Sequence, residues 1–179
     1  MKSAVLVPMG AVPDALLGSV AHELFHAVGW DCHVSRIVLD PHIGFHIERQ
    51  QHHSSELLRH LLARTAGEDR PVIGLTPVDL YIPILKYVFG EAELGGRAAV
   101  VGYHRLRDEF YGLPDDPAAL ARRVACEVIH ELGHVVGLHH CENYMCVMAS
   151  AHSVERVDLK SNYFCSHCLP QFRRATEVS

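Results

Sequence analysis

Apolar positions along this chain alternate between short unbroken runs and wider helical spacing. Ser3 to Pro8 is an apolar run of the length of a buried strand, and Pro13 to Val28 spaces its apolar residues as an amphipathic helix that should end near Gly29. Val34 to Leu39 predicts a second strand. Leu57, Leu58, Leu61 and Leu62 recur at helical spacing within Ser54 to Ala66, after a possible N-cap at Ser54 or Ser55. Three further short runs, Val72 to Leu75, Tyr87 to Ala92 and Ala98 to Tyr103, read as strands, the last two separated by Gly95-Gly96. Asp116-Pro117 then supplies an N-cap followed by proline at the first helical position. The series Leu120, Val124, Val128, Ile129, Leu132 and Val136 carries one long helix of about 20 residues to Gly137. Beyond Gly137 the patterning fades.

Strands alternating with helices, followed by a metal-rich tail, predict an α/β upper part over residues 1–138 and a small lower part over residues 139–179, with a cleft between them. Length agrees, since 179 residues suffice for one domain with a real core. A net charge of −5 offers no general attraction to phosphate or anionic lipid, so no nucleic acid or membrane partner is expected. The most apolar later stretch, Pro71 to Gly90, is broken by Asp79, Lys86 and three prolines, and cannot span a bilayer. The first ten residues lack a cleavage site for export, so the expected location is cytoplasmic and the expected working unit a single chain.

The stretch from His130 to His140 contains H-E-x-x-H-x-x-G-x-x-H. On a helix, His130 and His134 lie about 40° apart around the axis and about 6 Å along it, so both imidazoles can reach one ion. Glu131 lies beside the ion's open side. A straight helix would carry residue 140 some 15 Å beyond residue 130, so the chain must turn at Gly137 for His140 to return as a third ligand. Three histidines leave a fourth position for water, the mark of a catalytic zinc, and Glu131 is then the general base for attack on a peptide carbonyl. With 15 histidines in the chain, bare H-E-x-x-H has a chance probability of about 0.08, but the glycine and third histidine reduce it to roughly 5 in 10,000. His22 to Gly29 repeats the first eight positions, yet Cys32 stands where the third histidine should be, and an amphipathic helix with exposed histidines is the plainer reading.

Cys141, Cys146, Cys165 and Cys168 follow at C-x4-C and C-x-x-C spacing, suited to a closed tetrahedral zinc that replaces the core a tail of this size lacks. Two zinc ions per chain are therefore expected. His139 misses the ligand spacing, His167 inside the C-x-x-C is a weaker donor than its flanking thiols, and Cys126 reads as helix packing. Tyr144 and Tyr163 are candidates for stabilising an oxyanion, although each is more often a packing residue.

The run from His130 through Cys141, Cys146 and Met148 to the C-x-x-C resembles the archaemetzincins (archaelysins), a metzincin family, and the resemblance extends back through Val72 to Arg107. It implies a metzincin-like α/β (α+β) fold, a mixed twisted sheet with a long active-site helix and a small zinc-stabilised C-terminal subdomain. It implies also zinc-dependent peptidase activity on a peptide or protein substrate, a structural second zinc, no export and Met148 as the Met-turn residue beneath the catalytic zinc. Sixteen residues separate Met148 from Cys165, one fewer than the family pattern, a difference a loop of this length absorbs. By the same resemblance Tyr87 to Ala92 is the edge strand lining the cleft, where an extended peptide could add by main-chain hydrogen bonds; its charges at Lys86, Glu91 and Glu93 equally suit a protected edge. The reading of a different class is a metal-stabilised peptide- or protein-binding module with little turnover.

Overall fold

The computed structural model describes residues 2–177. Strand β1 (Ser3–Pro8) leads into helix α1 (Asp14–Val28), and β2 (Asp31–Val34) returns beside it. Short strands β3 (Phe45–His46) and β4 (Gln51–His53) precede helix α2 (Ser54–Arg64). Next come β5 (Val72–Thr76), β6 (Leu80–Tyr81), β7 (Gly90–Ala92) and β8 (Ala98–Gly102). Helix α3 (Pro117–Val135) follows, then α4 (Val154–Leu159) and α5 (Cys168–Glu177).

Five strands form a mixed sheet in the order β2-β1-β5-β8-β7. All its pairings are parallel except β7 with β8, where Gly90 faces Val101 and Ala92 faces Ala99. β7 is therefore an edge strand. A second sheet, β3-β4-β6, sits apart. One face of the main sheet is covered by α1 and α3, and the apolar core there includes Leu6, Leu24, Ile73, Val101, Ile129 and Leu132. The same cluster continues into the C-terminal segment through Val147, Met148, Val157, Phe164 and Phe172, so one body of buried side chains holds the segment to α3. The opposite face packs Val7, Val72 and Val100 against Leu57 and Leu61 of α2.

Helix ends follow the local chemistry. Gly29, at φ 71°, donates its N–H to Phe25 O and closes α1. The Asp116 carboxylate accepts from the N–H groups of Ala118 and Ala119, both at 3.0 Å, with Pro117 at the first helical position of α3. The cap expected for α2 differs: His53 is the N-cap residue and makes no side-chain cap bond. The hydroxyls of Ser54 and Ser55 instead donate to the Glu91 carboxylate of β7, which places an anion at the positive end of the helix.

Two strands are displaced from their predicted places. The second strand occupies Asp31–Val34 and not Val34 to Leu39, because parallel pairing with β1 starts directly after the α1 turn, with Ser3 opposite Asp31. Only Leu39 returns, as an isolated bridge to Met9, while Ile37 and Val38 lie exposed. The edge strand spans three residues because Val88 turns away to bridge Leu80, and Arg49 and Gln51 hold the Lys86 carbonyl. Among the described residues, no helix is long and apolar enough to cross a membrane.

Candidate metal centres and active site

The end of α3 builds a turn. Gly137, at φ 95°, donates to His134 O and Leu138 donates to Gly133 O, both at 2.9 Å, the paired bonds of a Schellman motif. A glycine accepts that dihedral without the clash a Cβ would bring. The chain thereby doubles back, and His140 stands beside the rings of His130 and His134 at centroid separations of 5.2 and 4.8 Å. A donor atom from each of the three lies within 4.8 Å of the others.

Hydrogen bonds fix which nitrogens face inward. His130 Nδ1 lies 2.7 Å from Val147 O, and His134 Nδ1 lies 2.7 Å from Leu138 O. A carbonyl only accepts, so each Nδ1 carries the proton and each neutral ring turns a bare Nε2 toward its neighbour. Those two nitrogens are 3.1 Å apart. Two bare lone pairs at that distance repel unless a cation lies between them, and tetrahedral Zn–N bonds of 2.0–2.1 Å imply a separation of about 3.3 Å. A backbone carbonyl on the remote nitrogen is the usual support for a metal-bound imidazole. Burial, with help from the Lys160 ammonium and the neighbouring imidazoles, pushes His130 well below the ordinary histidine range, and burial lowers His134 and His140 as well. All three are poised as neutral donors.

Glu131 is buried on the adjoining face. Burial foremost, then the Glu127 carboxylate, push its carboxyl well above the ordinary range, with Lys160 opposing. The cleft in front of it holds about 510 Å³ and is bordered by β7, by His130, His134 and His140, by Glu127, and on the far side by Ser150, Ala151 and His152. Tyr87 also borders it, its hydroxyl donating to His152 O at 2.5 Å while the Arg105 guanidinium lies 4.3 Å from its ring centroid. Beneath α3, Met148 is fully buried against Gly133, where an added Cβ would collide with its sulfur. The N–H of Cys141 donates to Met148 O at 2.9 Å, tying the strand of chain after His140 to the same point. At the other end, Gly95 in the β7–β8 turn also donates to His134 O at 2.9 Å.

The four cysteines Cys141, Cys146, Cys165 and Cys168 form a second group with sulfurs within 4.8 Å of one another. Cys141 and Cys165 sulfurs are 3.8 Å apart, close to the ~3.8 Å that tetrahedral Zn–S bonds of 2.3 Å require. Against its burial, the N–H groups of Cys168 and His167 hold the Cys165 thiol down to about 6, whereas burial raises the Cys146 and Cys168 thiols. Cys165 N–H donates to Cys146 Sγ at 3.3 Å.

Other candidates fall elsewhere. His139 and His167 are exposed and join neither group, and His167 meets Gln171 instead. Tyr144 and Tyr163 are 60% and 52% exposed and do not border the cleft. Among the described residues His22 and His26 gain no third metal donor, and Glu23 accepts from Asn162. Cys126 is wholly buried in the packing of α3, where burial raises its thiol to about 12. Tyr87 was expected in the strand lining the cleft but without a role of its own, and Glu127 and His152 are additions to the site. Glu127 alone had a readable signal, since it precedes Glu131 by four residues on the same helix face.

Neutral imidazoles converging on one point, a buried carboxylate beside them and an edge strand facing both define a class, the zinc metallopeptidases, hydrolases of peptide bonds. Comparison with known proteins agrees. The model of peptidase family M54 matches residues 62–174. An archaemetzincin of Methanocaldococcus jannaschii is 40% identical over 166 residues, 93% of this chain and 90% of that protein. The crystal structure of an archaemetzincin from Methanopyrus kandleri superposes with a TM-score of 0.85 at 33% identity, over 98% of this chain and 96% of that one. A zinc-dependent peptidase from Methanocorpusculum labreanum gives 0.86 at 30% identity, over 95% and 100%. The chain belongs to peptidase family M54, the archaemetzincins.

Proposed function

We propose that the chain hydrolyses peptide bonds in the cleft between β7 and residues 150–152, with His130, His134 and His140 holding a catalytic zinc and Glu131 as the general base. The observation that most supports this reading is the pair of Nε2 atoms 3.1 Å apart, each ring held by a carbonyl at its opposite nitrogen. When bound, the zinc supplies a Lewis acid for the scissile carbonyl and lowers the pKa of water toward about 7. Val147 and Leu138 hold the two rings in tautomer and orientation. Glu131 removes the proton of the attacking water and delivers it to the leaving amine. β7 lays an extended substrate along the cleft by main-chain hydrogen bonds, its own Glu91 and Glu93 being engaged by Ser54, Ser55 and the Arg97 N–H.

In the same reading Cys141, Cys146, Cys165 and Cys168 hold a structural zinc, Met148 is the Met-turn residue, and the chain divides into parts at 1–138 and 139–179. Four thiols kept for metal suit a reducing compartment, the cytoplasm. Substrates are peptides or proteins, and the working unit is one chain. The test is Glu131→Ala: it should keep both zinc ions and lose cleavage of a degenerate peptide library, whereas turnover equal to the parent would remove Glu131 as the base. His134→Ala should lower the zinc content from two to one.

A further inference from the structure

One turn before Glu131, α3 carries a second carboxylate that also borders the cleft, Glu127. Its Oε1 accepts from Lys160 Nζ at 2.8 Å, and the same ammonium donates to Ala149 O at 3.2 Å. The two side chains are 5% and 1% exposed. Lys160 directly follows α4, and α4 is clamped to α3 two residues earlier, where the Asp158 carboxylate accepts from Arg123 Nε and Nη2 at 2.8 and 2.9 Å. Arg123 is held in turn by Leu106 O and Asp108. The ammonium is thus delivered to its place by a rigid connection.

A buried ion pair of this kind is a poor way to stabilise a fold, since each ion loses its hydration and apolar side chains of similar volume often do as well or better. Its position suggests another use. Glu127 and Glu131 are four residues apart on one helix, about 6 Å along its axis, and both look toward the reacting region. Left unpaired, Glu127 would oppose every negative charge that gathers there. We propose that Lys160 is a positioning residue for the hydrolysis: by pairing Glu127 it leaves Glu131 as the one unpaired carboxylate at the centre, and through Ala149 O it fixes the wall of Ser150, Ala151 and His152 facing Glu131.

This inference rests on the reading of Glu131 and the histidine site given above, and the test separates the two. Lys160→Met, Lys160→Arg, Glu127→Gln and the double variant Lys160→Met/Glu127→Gln are compared with the parent and with Glu131→Gln. Urea unfolding of the zinc-loaded proteins reports whether the pair is formed. Visible-spectrum titration of the cobalt(II)-substituted proteins with acetohydroxamate reports how the centre receives an anion without any turnover. Cleavage of a peptide selected from a library by the parent gives kcat and KM separately.

An uncompensated unit charge one helical turn from Glu131, in a partly screened site, corresponds to about a tenfold effect. Lys160→Met should weaken acetohydroxamate binding about tenfold and lower kcat by a similar factor with KM little changed. Lys160→Arg should stay within about threefold of the parent. The double variant removes the stranded carboxylate together with its partner, so it should regain most of the lost affinity and most of the lost stability. A double variant no better than Lys160→Met, or Lys160→Met indistinguishable from the parent, would overturn the assignment. Should Lys160→Met not fold, the neutral double variant set against Glu127→Gln carries the comparison: the double must bind acetohydroxamate within about threefold of the parent, and a tenfold loss there overturns the proposal. Parental cleavage by Glu131→Gln would instead defeat the reading of the base, and the cobalt titrations would still decide the role of Lys160.

Discussion

The backbone of Gly90 in β7 rests on the carboxylate of Glu131 in α3: a Cβ at Gly90 would stand 2.5 Å from Glu131 Oε1 and 2.8 Å from its Cδ and Cγ. The edge strand therefore forms the rear support of the proposed base. Gly90→Ala should push the carboxylate out of line and lower kcat about 100-fold, the cost of a displacement near 1 Å, while zinc content stays at the parental value. Metal analysis beside steady-state kinetics checks this, and full activity would mean that Glu131 tolerates being moved.

Gly137 should show a graded response. Its φ of 95° lies where a β-carbon is strained. Gly137→Asn, which tolerates left-handed backbone, is expected to be mild, and Gly137→Val to destabilise the protein by about 1–2 kcal/mol and to weaken metal retention at the histidine site. Urea unfolding and competition with a chelator give the order, and equal behaviour of the two variants would argue that the turn is not set by this residue.

Cys165→Ser removes one sulfur from the four-cysteine group. Loss of a zinc at that position should cost ~3 kcal/mol or more and lower Tm by about 6–12 °C for a chain of this size. Calorimetry of the purified variant, with its zinc content, tests the assignment, and an unchanged melting curve would remove the structural role.

The clamp between α3 and α4 predicts an acid dependence. Burial pulls the Asp158 carboxyl upward, but the Arg123 guanidinium bonded to it, with Arg122 nearby, holds it below the usual aspartate range. A carboxylate depressed in the folded state contributes stability that is present above the unfolded pKa of about 3.9 and lost as pH falls through the lower folded value. The parent should therefore exceed Asp158→Asn by about 1–2 kcal/mol from pH 7 down to pH ~5, allowing for partial solvent screening, and the gap should shrink below pH ~4. Urea midpoints across that range provide the measurement, and a constant gap would show that the interaction does not depend on the charge.

How far these features could be read from the chain depends on the range of the interactions that make them. α3, its Asp116-Pro117 start and its Gly137 stop are encoded within a few residues of each place and were legible in full. So was the convergence of His130, His134 and His140 and of the four cysteines, because residue spacing on a helix and in tight loops is local. The β3-β4-β6 sheet was not, since strands of two or three residues carry no period and exist only through distant pairings such as His52 with Leu80. Helix α4 spans six residues, too few for a stripe, and the buried positions of α5, Cys168, Phe172 and Thr176, include one large apolar side chain. Tyr87 meets His152 across 65 positions and Lys160 meets Glu127 across 33, and no local pattern announces either pairing. The strand at Asp31–Val34 was misplaced because apolar content pointed to Val34 through Leu39, while the ladder itself was decided by where β1 begins.

The carbonyl of His134 receives two amides, one from its own helix end at Gly137 and one from Gly95 at the tip of the β7–β8 hairpin. The hairpin whose edge borders the groove is thereby tied at its tip to the turn that carries the His134 imidazole, and in the proposed reading a polypeptide laid along that edge would rest on the same hydrogen-bonded frame as one of the nitrogen donors.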